Sequence, residues 1–296
     1  MLIDTHAHLY WDVFEKDLDQ VIQRSIDAGV NTIINVGVDV EKSKIAARQV
    51  KEKLSKIPNF FSFSTIGIHP HEAIKYQDDV SIHEDIKKLE EIYQTQPDHI
   101  VAVGECGLDF YLDRNDIHPD ITLPYGQIKN LQRQLFQVQI DLAKKLNLPL
   151  IVHCRDDRSK GSGSTGLPPQ ETLSPSAWDE VLNMVGNHPT ILHCYSGLPK
   201  TTNLVLSSSN LFVSFAATIT YPKNEYLRDA ARILPLEKIL LETDCPFLPP
   251  QSRRGQRNEP ANVLETAQLI ADLKNISLEQ LNNQTSNNVK RILKLN

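Results

Sequence analysis

Short apolar runs alternate with longer amphipathic ones along the chain. The runs at 2–3, 31–36, 60–68, 100–103, 148–152, 190–192, 211–214 and 238–241 are continuous or nearly so, the pattern of strands covered on both faces. Between them, segments 14–28, 39–54, 82–93, 125–146, 178–185, 198–208 and 225–234 repeat apolar residues three and four apart, as helices lying on a sheet do. Gly29 is a natural stop for the first of these helices, and Asp39 a natural N-cap for the second. Two more helices, 261–274 and 278–293, close the sequence. Segment 108–123 reads as a long loop. Segment 156–175, rich in Ser, Gly and Pro, reads as a mobile insertion, neutral in role, and not as a linker. A doubly wound sheet would carry a glycine-rich phosphate loop after its first strand, and none is present. The pattern predicts an α/β fold, a single (β/α)8 TIM-type barrel spanning residues 1–296 with an extra C-terminal helix.

Composition narrows the functional classes. Hydrophobic residues make up 40% and charged ones 23%, as in ordinary globular proteins. No stretch has the apolar length of a membrane helix, and no basic region followed by an apolar core marks a signal peptide. The expected location is cytoplasmic, with the nucleus also compatible. A net charge of −6 argues against a broad basic surface for nucleic acid. A polyanionic substrate would have to be drawn by bound cations and by the local cluster Arg253, Arg254 and Arg257.

Barrel active sites lie at the C-terminal ends of the strands. The first apolar run ends in His6-Ala7-His8, whose two imidazoles project to one side because strand side chains repeat every second residue. The third ends in Gly67-Ile68-His69-Pro70-His71, and the fourth in Gly104-Glu105-Cys106-Gly107-Leu108-Asp109. His153-Cys154-Arg155, His193-Cys194-Tyr195-Ser196-Gly197 and Glu242-Thr243-Asp244 follow the fifth, sixth and eighth. Six of the ten histidines (6, 8, 69, 71, 153 and 193) thus sit at strand ends. Four imidazoles and two carboxylates exceed the needs of one tetrahedral ion and suit two ions with open positions. His6, His8, Asp244 and Glu105 are assigned to one ion, and Glu105, His153 and His193 to the other, with Glu105 as the bridge. Glu105 and Asp244 are the expected catalytic carboxylates. Two ions about 3.5–4 Å apart lower the pKa of a shared water and polarise the bond under attack, so the expected reaction is hydrolysis.

The cysteines Cys106, Cys154, Cys194 and Cys245 each follow one of these ligands directly. Alternation turns them away from the site, where a small hydrophobe is wanted under the helices. Their spacing contains no C-x-x-C pair, so neither a zinc ribbon nor a thioredoxin-type site is indicated.

These segments, together with Asp4-Thr5, Cys245-Pro246 and Arg257-Asn258-Glu259-Pro260, resemble the TatD-related metal-dependent hydrolases and deoxyribonucleases over residues 4–260. The resemblance implies an amidohydrolase-type barrel that cleaves DNA phosphodiester bonds with divalent metal, often as a 3′ exonuclease. It also supports His6, His8, Glu105, His153, His193 and Asp244 as ligands. The chain departs from the family where residues around 160–169 are inserted after His153-Cys154-Arg155. Two divalent ions (Mg, Zn or Mn) are the expected cofactors. The expected partner is DNA, single-stranded or at 3′ ends, with neither a membrane nor an obligate protein partner. Substrate contacts are assigned to His69, His71, Asp109, Arg155, Arg254 and Arg257. Asp109 has an equal alternative as a turn cap, His69 as a well-bonded loop residue, and the arginines as partners of Glu259 or another loop carboxylate. Glu242 is expected either to orient a ligand imidazole or to form a salt bridge in the lower barrel. Two other classes stay open: a two-metal hydrolase of a small amide, ester or lactone, and a metal-dependent scaffold with a closed site.

Overall fold

A computed structural model of the chain describes residues 1–76, 79–111, 123–156 and 176–295. Residues 112–122 and 157–175 of the two expected loops, and with them the insertion, lie outside these. The described residues form one eight-stranded sheet in sequential order. Its strands are β1 (Leu2–Ala7), β2 (Val30–Asn35), β3 (Phe61–Ile66), β4 (Ile100–Asp109), β5 (Leu150–Arg155), β6 (Thr190–Leu192), β7 (Leu211–Phe215) and β8 (Ile239–Leu241). Each pairs in parallel with the next. At the top, the His8 N–H donates to the Cys245 carbonyl and the Asp244 N–H to the His6 carbonyl, each at 2.8 Å, which brings the last strand's extension against the first. The architecture is a (β/α)8 barrel.

Helices α1 (Leu18–Asp27), α2 (Val40–Glu52), α3 (Asp79–Thr95), α4 (Tyr125–Leu146), α5 (Ala177–Val185), α6 (Pro199–Ser207), α7 (Glu225–Ile233) and α8 (Val263–Lys274) follow the strands in turn. The expected extra element is α9 (Leu278–Leu293), opened by a reciprocal capping box between Ser277 and Gln280. Its Val289, Ile292 and Leu293 pack with Ile3, Ile34, Val101, Ile151, Ile191, Phe212 and Leu240, drawn from seven strands. That cluster fills the barrel's lower interior, and α9 closes its base. Asn288 fixes the helix by donating to the carbonyls of Leu236 at 2.8 Å and Ile239 at 2.9 Å. Above this apolar floor comes a hydroxyl layer, in which Thr5 Oγ1 lies 2.9 Å from Ser214 Oγ. The ligand-type residues stand above that. The helices cover a second, larger cluster outside the strands, which takes in Cys106 and Cys154 beside Phe136 and Trp178.

Two boundaries differ from the sequence reading, each for a local reason. The first helix begins at Leu18 instead of 14, because residues 12–14 form a separate 3-10 turn that buries Phe14 completely. The fourth strand, begun by the run at 100–103, continues through Gly104 and Gly107 to Asp109, so its last two residues fall where the loop from 108 was expected. A Cβ at Gly104 would lie 2.5 Å from the Ile151 carbonyl oxygen, and one at Gly107 would lie 2.1 Å from that of His153. Glycine lets β4 press against β5 along its polar half, so a segment that looks like a loop in sequence is strand in space.

Candidate metal centre

The strand ends bring their imidazoles and carboxylates into one buried cluster with Glu105 at its middle. His6 Nε2 and His8 Nε2 are 3.2 Å apart, the same-side projection expected of a strand. Asp244 Oδ1 stands 3.8 Å from the first and 3.4 Å from the second. Glu105 divides its oxygens. Oε2 faces His6 Nε2 at 3.3 Å and His8 Nε2 at 3.9 Å. Oε1 faces His153 Nδ1 at 3.1 Å, His193 Nε2 at 3.3 Å and His69 Nε2 at 3.4 Å.

The surroundings orient these groups. His8 Nδ1 sits 2.8 Å from the Val36 carbonyl oxygen, which leaves Nε2 for the cluster. His193 Nδ1 lies 2.9 Å from Glu242 Oε1, off the line of a good hydrogen bond, while that oxygen accepts the Cys194 N–H at 2.7 Å. Asp4, deep in the barrel, accepts from the Thr243 N–H at 2.9 Å and its hydroxyl at 2.5 Å, and from the His6 N–H at 3.2 Å. It ties the first ligand strand to the last. Burial pushes the Asp4 carboxyl up to about 7, against the pull of these hydrogen bonds.

Asp109 is fully buried and forms a second node. Its Oδ2 is 2.9 Å from His71 Nε2 and 3.0 Å from His153 Nε2, and its Oδ1 accepts from Arg155 Nε at 3.0 Å. Burial alone would raise this carboxyl. The bonds from His153 and His71 and the Arg155 charge outweigh burial and hold it well below the usual carboxylate range. Arg155 also donates to the Tyr111 carbonyl at 3.2 Å and stacks on that ring.

The side chains assigned to substrate therefore sort themselves spatially. His69 joins the Glu105 cluster as a ligand-type group, with Glu105 and His153. His71, Asp109 and Arg155 form one network against it. Arg254 stacks over the Tyr221 ring, 4.6 Å from its centroid, and makes no ion pair among the described residues. Arg257 is committed elsewhere: Nη1 and Nη2 donate to the two oxygens of Asp17 at 2.8 and 2.6 Å, and its guanidinium lies on Phe14. Glu259 holds Arg24 in the same way, at 3.0 and 2.7 Å. Of the alternatives open for the arginines, pairing with a loop carboxylate describes Arg257. Arg253 likewise pairs with Glu265 at 3.2 Å.

Sequence reasoning missed Asn258. Its buried amide donates to the carbonyls of Thr243 at 2.9 Å and Phe247 at 2.8 Å, which shapes the loop after Asp244. In sequence Asn258 stood only inside the segment Arg257–Pro260, with nothing to show that its amide is buried.

The cluster suits cations. Glu105 meets five imidazoles and, among the described residues, no lysine or arginine, while His6 Nδ1 is buried without a hydrogen-bond partner. Imidazoles and carboxylates without a thiolate suit Zn or Mn, whereas Mg prefers oxygen ligands and would rely on Glu105, Asp244 and water. Cys106, Cys154 and Cys245 are buried in apolar clusters and none enters a metal-type group.

A family model described as TatD related DNase matches residues 3–294. An uncharacterized metal-dependent hydrolase of Bacillus subtilis (strain 168), YabD, is 31% identical over 296 residues, the full length of both chains. The 3′-5′ ssDNA/RNA exonuclease TatD of Escherichia coli (strain K12) is 29% identical over 296 residues, which cover 98% of each chain. Among solved structures, the TatD homolog YJJV from Escherichia coli k12 superposes with a TM-score of 0.78 at 24% identity, covering 100% of this chain and 98% of that one. The last likeness concerns the fold.

Proposed function

The chain belongs to the TatD-related DNase family, whose members are metal-dependent hydrolases of ester bonds, and from that premise we propose that its substrate is DNA, cut by 3′-5′ exonucleolytic hydrolysis of phosphodiester bonds with two divalent ions. One observation carries the two-ion part: Glu105 turns one oxygen to His6 and His8 and the other to His69, His153 and His193. A lone ion would use one such set.

His6, His8 and Asp244 would hold one ion and His69, His153 and His193 the other, with Glu105 shared. Ions held there supply positive charge that polarises a phosphate ester and makes water acidic enough to attack near neutral pH. The protein's own groups do the rest. Glu242 and Asp109 orient His193 and His153 from behind. Asp244, whose side chain is 14% exposed against 6% for Glu105, is the carboxylate more open to the attacking water, whose proton it takes. Arg254, in the loop after β8 and without an ion pair among the described residues, would offer its guanidinium to a flanking phosphate.

The test is release of mononucleotides from 3′-labelled single-stranded DNA, run beside amide, ester and lactone substrates. Expected is nucleotide release that a chelator abolishes and Zn, Mn or Mg restores, with loss of both activity and bound metal in Glu105→Ala. Turnover confined to the lactone or ester arm would overturn the nuclease reading.

A further inference from the structure

We propose that Phe247 and Trp11 form a stacking platform for one nucleobase of single-stranded DNA at the rim of the metal centre, an inference that rests on the nuclease reading above. Phe247 is 47% exposed although it belongs to a tightly held loop. Its N–H donates to the Asp244 carbonyl at 2.9 Å and its carbonyl accepts from Asn258, so the ring starts one turn from a ligand carboxylate. Its centroid lies 6.2 Å from the His8 ring and 6.0 Å from that of Trp11, edge-on to both. Trp11 is half-buried, stacked on Tyr10 with centroids 6.0 Å apart. Its Nε1 is buried and has no hydrogen-bond partner among the described residues, so the part of the indole that water reaches is carbon. Lys42 Nζ stands 5.2 Å from the Trp11 ring and makes no ion pair among the described residues.

Trp11 packs on the apolar cluster of Leu9 and Phe14 with part of its ring left to water, and Phe247 stands half-exposed against it beside the metal-type cluster, so the pair presents aromatic surface to solvent there. Every base has a π-face, and stacking is how sequence-tolerant single-strand binders hold one. Rigid rings give this contact with little loss of side-chain freedom. A phosphate held at His8 and Asp244 puts the attached nucleoside within reach of Phe247, and Lys42 faces the next phosphate. The platform also explains the paired clamps at 257–259. Arg257 on Asp17 and Glu259 on Arg24 fix the loop of Phe247 against the segment that carries Trp11.

The experiment compares an oligothymidine of eight residues with the same chain made abasic at its two 3′-terminal positions. The wild-type protein is expected to show a KM roughly 5- to 100-fold higher for the abasic chain, the range that one stacked base provides. Phe247→Ala should raise KM for oligothymidine by that factor and leave the abasic chain unaffected, with kcat nearly unchanged; Phe247→Tyr should restore discrimination. Loss of equal size on both substrates assigns the ring to loop packing or a protein contact and overturns the proposal. A second readout does not need turnover. In Trp178→Phe, Trp11 is the remaining tryptophan, and oligothymidine should quench its fluorescence where the abasic chain does not. If no DNA is hydrolysed, the nuclease reading falls, and the quench alone decides the platform. Absence of the quench overturns it.

Discussion

Glu242 shows how a single side chain acts on the centre without entering it. One oxygen accepts the Cys194 N–H and lies against His193, while the other is buried with no hydrogen-bond partner among the described residues. Glu242→Gln keeps the shape and removes the charge behind the ligand ring. It is expected to lower metal affinity and activity by roughly 10- to 100-fold, as loss of such outer partners does. Competitive metal titration checks this, and an unchanged affinity would assign Glu242 to barrel stability alone. At this scale the sequence was legible where residue type alone fixes chemistry: six of the ligand-type residues could be listed from strand ends. The role of His69 was not, since a histidine before proline reads equally as a loop residue. Only the fold shows that it faces Glu105. Asp109 was equally ambiguous, because a carboxylate at a strand end looks alike whether it meets substrate, a turn or two imidazoles.

Among the elements, β4 depends most on its glycines. Gly107 has φ +133° and its missing Cβ leaves room for the His153 carbonyl. Gly107→Ala is therefore expected to cost about 3 kcal/mol or more, from strain and contact together. Gly29, at φ +79° in open space after α1, should lose only about 1 kcal/mol on the same change. Urea unfolding of the two variants separates them, and equal losses would show that β4 can move off β5. The clamp between the β8 loop and the start of α1 is a second case. The Arg257–Asp17 pair is two-pronged but partly open to water, with side chains 29% and 35% exposed. A double-mutant cycle should give a coupling of about 1 kcal/mol, near the top of the range for exposed pairs. A value near zero would mean that Arg257 is free to serve substrate. Periodicity made most strands and helices legible. At β4 the apolar run marked only the first four residues, because inward ligands and glycines interrupt it, and the strand's last two residues, Leu108 and Asp109, fell in the expected loop.

For the whole molecule, charge and shape are at odds with a simple DNA-binding surface. The chain carries a net charge of −6, and in the loop after β8 Arg253 and Arg257 are paired with carboxylates while Arg254 makes no ion pair among the described residues. Affinity then depends on the centre and on a small number of phosphate contacts. Each such contact on a single strand contributes about 0.7 to the salt slope, so the slope of log KM against log salt should be shallow. Arg254→Ala should lower it by about one such step, as KM measured from low to moderate salt will show. An unaltered slope would move the phosphate path away from Arg254. The barrel itself was legible as a whole from eight alternating units, whereas closure of its base by α9 was visible only as one surplus helix. The bond between the two ends of the barrel has a consequence in time. On the ribosome Asp244 follows His6 by 238 positions. At usual translation speeds of ~5–20 residues per second, about 12–48 seconds separate them. For that interval His6 and His8 lack Asp244, so the full set of candidate ligands comes together only late in synthesis.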